Sequence, residues 1–141
     1  MNTLTLILST TIILCTMIKC AVPLVRVSSS ISAEDFYCHQ LGFTKVFANR
    51  PDASKADPCY FGVSRDGTLI HLSSFSGDGI AGHVINLFVN DVDALRNEFV
   101  SKGVKIDLEP TNQTWDNREM YVRDADNNCL RFLQEGVSKE A

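Results

Sequence analysis

The chain has 141 residues and a formal net charge of −4. This length suits one domain, large enough to bury about two-thirds of its unfolded surface. The acidic balance argues against nucleic acid as the main partner, since phosphate recognition needs a basic surface, and favours a cationic ligand.

The N-terminal residues form an apolar segment. Residues 1–18 carry no charge, which suits a short membrane span or the apolar part of a signal peptide. The flanks fit a targeting role poorly, because no Lys or Arg precedes the run and Lys19 stands where small residues should prepare a cleavage site. Residues 1–20 are therefore a signal, an anchor or a mere extension. We expect a cytoplasmic protein, and export or membrane anchoring through this segment is the alternative.

The first half of the remaining chain is predicted to contain one helix and four strands. Ser32, with Asp35 three residues later, forms a capping box for a helix that Gly42 ends. The residues Asp66 and Gly67 give a strong hairpin signal between the last two strands. The strands are predicted at residues 22–27, 44–48, 58–63 and 68–74.

The second half repeats this order after a Gly-rich linker at residues 76–82. A helix at residues 92–102 ends at Gly103, and a polar loop carrying Trp115 leads into the last hairpin. That hairpin turns at residues 124–128, whose two Asn tolerate positive φ. The strands are predicted at residues 84–89, 104–108, 120–123 and 129–133.

The two halves can be aligned residue by residue. A constant offset of sixty brings Phe61 onto Tyr121 and His71 onto Arg131, and an offset of sixty-two brings Val22 onto Val84. We therefore predict two tandem βαβββ modules, at residues 21–75 and 83–134, within a domain that spans residues 21–136. Residues 137–141 form a tail.

The alternation of residues along the strands predicts two different sheet faces. One face is uniformly apolar and should lie under the helices; it comprises Val25, Val27, Ile70, Leu72, Ile85, Leu87, Val89, Leu130 and Phe132. The other is part aromatic and part polar, as expected of a surface that holds a ligand. It comprises Val22, Leu24, Arg26, Tyr60, Leu69, His71, Ser73, Val84, Asn86, Phe88, Met120, Cys129, Arg131 and Leu133.

Several short motifs carry a family resemblance. They are Ala21-Val22-Pro23-Leu24, Phe36-Tyr37, Leu41-Gly42-Phe43, residues 90–95 and Gln113-Thr114-Trp115-Asp116. In these residues the chain resembles the vicinal oxygen chelate superfamily, which includes glyoxalase I and extradiol dioxygenases, and within it most closely the bleomycin resistance proteins. The resemblance implies an α+β fold in which two βαβββ modules form an open, cup-like mixed sheet. Thr114 and Asp116 depart from the family form Gln-Pro-Trp-Gly, although Asp tolerates unusual φ.

Metal enzymes of this superfamily place one ligand on each of four strands. The matching positions here are Val22, His71, Val84 and Arg131, and His71 alone can bind a metal. The resemblance therefore implies neither a metal site nor a cofactor, and we identify no catalytic residue. His71 is interpreted as a hydrogen-bonding group or a packed neutral His.

The resemblance favours a non-enzymatic homodimer that sequesters a bleomycin-type cationic glycopeptide in two grooves at its interface. Tyr60 and Trp115 would stack on the ligand, and Asp116 and Glu119 would add negative charge at the rim. Arg131 opposes a cation unless a carboxylate such as Glu119 pairs with it. The complete set of candidate ligand-binding residues is Tyr60, His71, Ser73, Asn86, Trp115, Asp116, Glu119 and Arg131.

Two alternatives stay open. The same fold could bind a different, anionic ligand, which Arg26, His71 and Arg131 would suit. A metal-dependent lyase or dioxygenase would require a bound divalent metal.

Cys38, Cys59 and Cys129 are interpreted as reduced, small apolar residues, because the cysteines show no CxxC spacing and no dense disulfide framework.

Overall fold

A computed structural model describes residues 16–137 of the protein. Most of the apolar segment at residues 1–20 and most of the tail at 137–141 lie outside the described residues. No helix within the described part is long and apolar enough to cross a membrane. The elements are β1 (Leu24–Arg26), α1 (Ser30–Glu34), β2 (Thr44–Asn49), β3 (Tyr60–Arg65), β4 (Thr68–Ser73), β5 (Val84–Phe88), α2 (Val92–Ser101), β6 (Leu108–Asn112), β7 (Asn117–Arg123) and β8 (Cys129–Glu135).

The eight strands form two four-stranded mixed sheets with the same internal order. The first has the order β1-β4-β3-β2 and the second β5-β8-β7-β6. In each sheet the strand before the helix pairs in parallel with the last strand, and the other pairs are antiparallel. This confirms the predicted fold of two tandem βαβββ modules.

The strongest local signals produce the predicted turns. Asp66 and Gly67 both have positive φ, 50° and 78°, as the twist-matched type I′ hairpin turn requires. Gly42 follows the first helical segment and Gly103 follows α2, both in the left-handed conformation. Asn127 and Asp116 also adopt positive φ. The departure at Asp116 is thus compatible with a tight turn.

The predicted start of the first helix was wrong. Ser29 caps α1: it is extended and its hydroxyl accepts the backbone N–H of Ser32. Serines occupy positions 28, 29, 30 and 32, so several caps compete and the sequence pattern does not choose among them. The helix then continues as a π-helical segment, Asp35–Gln40.

The predicted strand at residues 104–108 was also wrong, since β6 begins only at Leu108. The backbone N–H of Val104 donates to Phe99 O at 3.0 Å, which closes the end of α2. Val104 is thereby held at the helix terminus, where its side chain is buried.

The register of β7 differs by one residue from the constant offset of sixty. Val122 pairs with Leu130 and Met120 with Phe132, whereas their counterparts are Val63 with Ile70 and Phe61 with Leu72. The offset is sixty for β4 and β8 but fifty-nine for β3 and β7, because the second turn is one residue longer. A one-residue shift exchanges the two faces of a strand. Met120 is therefore buried in the core, and its prediction on the opposite face was wrong.

The predicted apolar face does form the core. Its strand residues are buried or partly buried together with side chains of both helical segments. Phe99 of α2, for example, packs edge-on against Phe132 of β8, with ring centroids 5.2 Å apart. The opposite face of each sheet points away from this core, and we call it the open face.

The two modules are joined by helix-to-hairpin contacts that mirror each other. Tyr37 of the π-helical segment donates to Asp124 in the β7–β8 turn at 2.9 Å. At the equivalent place, Glu98 of α2 accepts two hydrogen bonds from Arg65 at the β3–β4 turn, at 2.8 and 2.9 Å. The helical segment of each module thus contacts the hairpin of the other.

We expect the Tyr37→Phe variant to lose about 1.5–3 kcal/mol of unfolding free energy. The change removes a buried hydrogen bond to a carboxylate while the ring stays in place. Urea unfolding followed by circular dichroism measures the loss. Arg123→Gln is the control, because its ion pair with Asp107 is exposed and should change stability by less than about 1 kcal/mol. Equal stability of Tyr37→Phe and the native chain would contradict the expectation.

Candidate functional site

The open face of the first sheet carries an aromatic cluster. The Tyr60 hydroxyl lies 2.7 Å from His71 Nδ1, so the two predicted residues hydrogen-bond to each other. Phe47 of β2 stacks on Tyr60 at a centroid distance of 6.2 Å and meets the His71 ring edge-on. Its ring lies directly on Gly62, where any Cβ would collide with it. Glycine at this strand position therefore makes room for the cluster.

The open face of the second sheet is organised around Glu119. One carboxylate oxygen accepts from Trp115 Nε1 at 2.7 Å and from Asn117 Nδ2 at 3.4 Å. The other accepts from the Tyr121 hydroxyl at 2.6 Å. Glu119 is only 2% exposed, so the predicted position at the rim was wrong. It instead anchors the two aromatic side chains that lie around it.

Arg131 lies on the same open face, because it pairs with Tyr121 across the β7–β8 ladder. Its guanidinium carbon stands 4.8 Å from the centroid of the Tyr121 ring, in a cation–π contact. Its Nε is buried and has no hydrogen-bond partner among the described residues. Arg131 attracts Glu119 electrostatically, but the described residues hold no ion pair between them.

Burial and hydrogen bonding act oppositely on Glu119. Burial alone would raise the pKa of this carboxyl, but the hydrogen bonds from Tyr121, Trp115 and Asn117 outweigh burial, and the net pKa is lowered. The pKa of Tyr121 is raised, first by its hydrogen bond to Glu119 and then by burial. At neutral pH the pair is therefore a carboxylate that accepts from a protonated phenol.

The other three predicted site residues have different surroundings. Ser73 is fully buried, and its hydroxyl already donates to Asp78 at 2.6 Å. Asn86 is exposed on β5, in register with Arg131. Asp116 is half-buried at the turn after Trp115, where its carbonyl accepts from Gly136. Their roles in ligand binding stay predictions.

Two aromatic members of the clusters, Phe47 and Tyr121, were missed in the sequence. Phe47 was signalled by Gly62, since a glycine inside a strand often marks a close approach by another group. Tyr121 was missed because the constant offset aligned it with Phe61 and placed its neighbour Met120 on the open face instead. The longer second turn is the signal that could have corrected it: residues 123–129 lie between Val122 and Leu130, against residues 64–69 between the equivalent pair Val63 and Ile70.

The residues at the superfamily's ligand positions do not fit a metal. Val22 and Val84 offer no donor atom, and Arg131 brings a positive charge. His71 Nδ1 is within hydrogen-bond distance of Tyr60. Residues 16–137 contain no group of three or more His, Cys, Asp or Glu side chains placed to hold a metal ion.

A cleft of about 730 Å³ lies at the edge of β5 that has no partner strand among the described residues. Side chains of β5, of α2 and of the β3–β4 turn line it, among them Phe88, Leu95 and Arg65. Phe88 is 64% exposed and lies on the open face, since it pairs with Leu133, the partner of Glu119. Exposed apolar surface therefore continues from the cleft onto the open face.

The family model for glyoxalase superfamily proteins matches residues 9–139. The chain belongs to this superfamily. No curated protein matches the chain. The resemblance of the sequence to this superfamily and the fold that it implied are both confirmed.

Several solved structures have the same fold. A glyoxalase/bleomycin resistance protein/dioxygenase superfamily member from Sphaerobacter thermophilus DSM 20745 is 26% identical, with a TM-score of 0.65 over 84% of this chain and 100% of that one. TnmS3, an antibiotic binding protein from Streptomyces sp. CB03234, is 25% identical, with a TM-score of 0.63 over 84% and 98%. A bleomycin-binding protein complexed with bleomycin is 19% identical, with a TM-score of 0.67 over 84% and 99%, and shows the fold alone.

We expect the indole resonance of Trp115, the single tryptophan, to titrate with Glu119. Because the folded pKa of Glu119 is lowered, the midpoint should lie below the ordinary value of about 4.3. The associated stability is present above that value and lost as the pH falls through the folded pKa. An NMR titration of the indole N–H measures the midpoint. Glu119→Gln should abolish the titration; a midpoint above about 4.3 would contradict the expectation.

Proposed function

We propose that this glyoxalase superfamily protein is a non-enzymatic binding protein that sequesters a small antibiotic-type molecule. The observation that carries the proposal is the pair of open faces, each with aromatic side chains held in place by hydrogen bonds to a neighbouring polar group. Flat ligands stack on such surfaces. Antibiotic binding by TnmS3 and bleomycin binding by the bleomycin-binding protein support this class of ligand.

The side chains on the open faces support binding rather than catalysis. The superfamily's chemistry uses a metal as the electrophile, and the residues at its ligand positions here do not supply a metal-binding donor set. The Ser73 hydroxyl, the one candidate nucleophile near His71, is buried and donates to Asp78.

A homodimer would complete the binding groove. No described hydrogen bond or ring contact joins the Tyr60 cluster to the Glu119 cluster, so one chain presents two separate half-sites. β1 and β5 each have one unpaired edge among the described strands, and Phe88 is 64% exposed beside one of them. In the proposed dimer, the first sheet of one copy faces the second sheet of the other, and the two half-sites form each groove.

A bleomycin-type glycopeptide is the first ligand to test. Its heteroaromatic rings would stack near Trp115 and Tyr60, and the net charge of −4 would favour its cationic tail. We expect saturable binding of metal-free bleomycin in isothermal titration calorimetry, with mass spectrometry recovering the drug unchanged. Absence of heat at high protein concentration would overturn the choice of drug, and a modified product would overturn the non-enzymatic role.

We expect the native chain to sediment as a dimer and the Phe88→Glu variant to shift towards monomer and lose ligand binding. A buried charge without a partner opposes the contact across the groove. Ile31→Glu is the matched control, since Ile31 is 66% exposed on α1, away from the open faces. Analytical ultracentrifugation distinguishes the outcomes; a monomeric native chain would remove the shared groove from the proposal.

A further inference from the structure

We infer that the ligand of the second open face is a flat aromatic molecule that presents an anionic or carbonyl hydrogen-bond acceptor to Arg131. This inference rests on the proposed binding function and narrows its ligand class. It depends on the hydrogen-bonding state of two side chains, Arg131 and Glu119.

Arg131 retains its donors for a ligand. Guanidinium has five N–H donors and no acceptor, and none of them bonds a described residue. Its buried Nε is the one buried side-chain nitrogen or oxygen in the described chain without a partner. An unsatisfied buried donor is costly, so an acceptor reaching this group has a favourable free energy to gain. A carboxylate that engaged the Nε edge of the guanidinium would make two parallel bonds.

Glu119 cannot supply that acceptor without releasing its own donors. Both of its oxygens are engaged, by Trp115 and Asn117 on one side and by Tyr121 on the other. The carboxylate of Glu119 is therefore already hydrogen-bonded to side chains of its own sheet face. Arg131, beside Tyr121, therefore keeps unused hydrogen-bond donors on this face, and these donors favour a ligand that carries a hydrogen-bond acceptor.

Tyr121 and Trp115 offer two aromatic surfaces on this face, both hydrogen-bonded to Glu119. Tyr121 lies against one side of the guanidinium, and Trp115 is 59% exposed while Glu119 fixes its indole N–H. A ring stacked on Trp115 can thus carry its acceptor towards Arg131. Acceptor and ring together define the ligand class, and a ligand with a cation at this position would be repelled.

Two isosteric probes test this inference on the full chain. 2-Naphthoate carries a carboxylate, and 2-naphthylmethylammonium carries a cation on the same rings. The indole N–H resonance of Trp115, the only tryptophan, reports occupancy of this face by ¹⁵N NMR. We expect 2-naphthoate to shift the resonance saturably and to bind more tightly than the cation.

Arg131→Gln should weaken 2-naphthoate binding at least about tenfold, the size expected of a charge-assisted bidentate contact. Arg131→Lys should weaken it less, because the charge remains and the paired geometry is lost. Arg118→Gln is the control, since Arg118 already makes a two-bond ion pair with Asp93 and should leave the affinity unchanged. Circular dichroism verifies that each variant is folded.

Tighter binding of the cation, or equal affinity of native chain and folded Arg131→Gln for 2-naphthoate, would overturn the inference while leaving the binding function intact. The same holds if Arg131→Gln weakens only the dimer, which would indicate that a carboxylate of the second copy satisfies Arg131. If neither probe nor bleomycin shifts the indole resonance, the binding function itself is overturned.

Discussion

The arrangement of the two modules depends on the hydrogen bonds that the carboxylate of Asp124 accepts. This carboxylate accepts from the Tyr37 hydroxyl, from the backbone N–H groups of Asp126 and Asn128, and from the Asn128 side chain. Asn128 in turn accepts from Gly82 and His83 and donates to Arg26 O. One buried turn thus fixes the first helical segment, the end of β1 and the entry to β5. Removing the carboxylate would leave several buried donors without an acceptor. This would lower the free energy of unfolding by more than the loss of one hydrogen bond.

The mirror-related contact uses different chemistry. Arg65 and Glu98 occupy the place equivalent to Asp124 and Tyr37, but their side chains are 25% and 37% exposed, so solvent weakens the attraction between them. Their hydrogen bonds lower the pKa of Glu98 despite some burial. The two ends of the module interface therefore differ: one is a dry, saturated network, and the other is a partly hydrated ion pair beside the cleft at β5.

Periodicity predicted most of the fold, because each strand alternates and one face is strictly apolar. Val25, Leu72 and Leu130 are buried where the pattern placed them. The errors in the predicted fold arise where the outcome depends on a single residue. Four serines competed for the cap of α1, and one extra residue in the second turn shifted β7 by one. That shift exchanged Met120 and Tyr121 between faces, so the core was predicted nearly intact while Tyr121 was missed from the candidate site. Hydrogen-bond partners such as Glu119 and Trp115 depend on tertiary geometry, which a strand pattern does not encode.

The buried position of Glu119 changes how the role of Arg131 in ligand binding is interpreted. As a rim carboxylate, Glu119 would have neutralised the arginine and left an acidic surface suited to a cationic drug. Buried at 2% exposure and bonded to Trp115, Asn117 and Tyr121, it becomes the group that orients the aromatic surface. Both oxygens of Glu119 are engaged by these donors, and the guanidinium of Arg131 is left with an unsatisfied Nε. The aromatic lining is thus compatible with the proposed antibiotic binding, and the unused donors of Arg131 favour flat molecules that carry a hydrogen-bond acceptor.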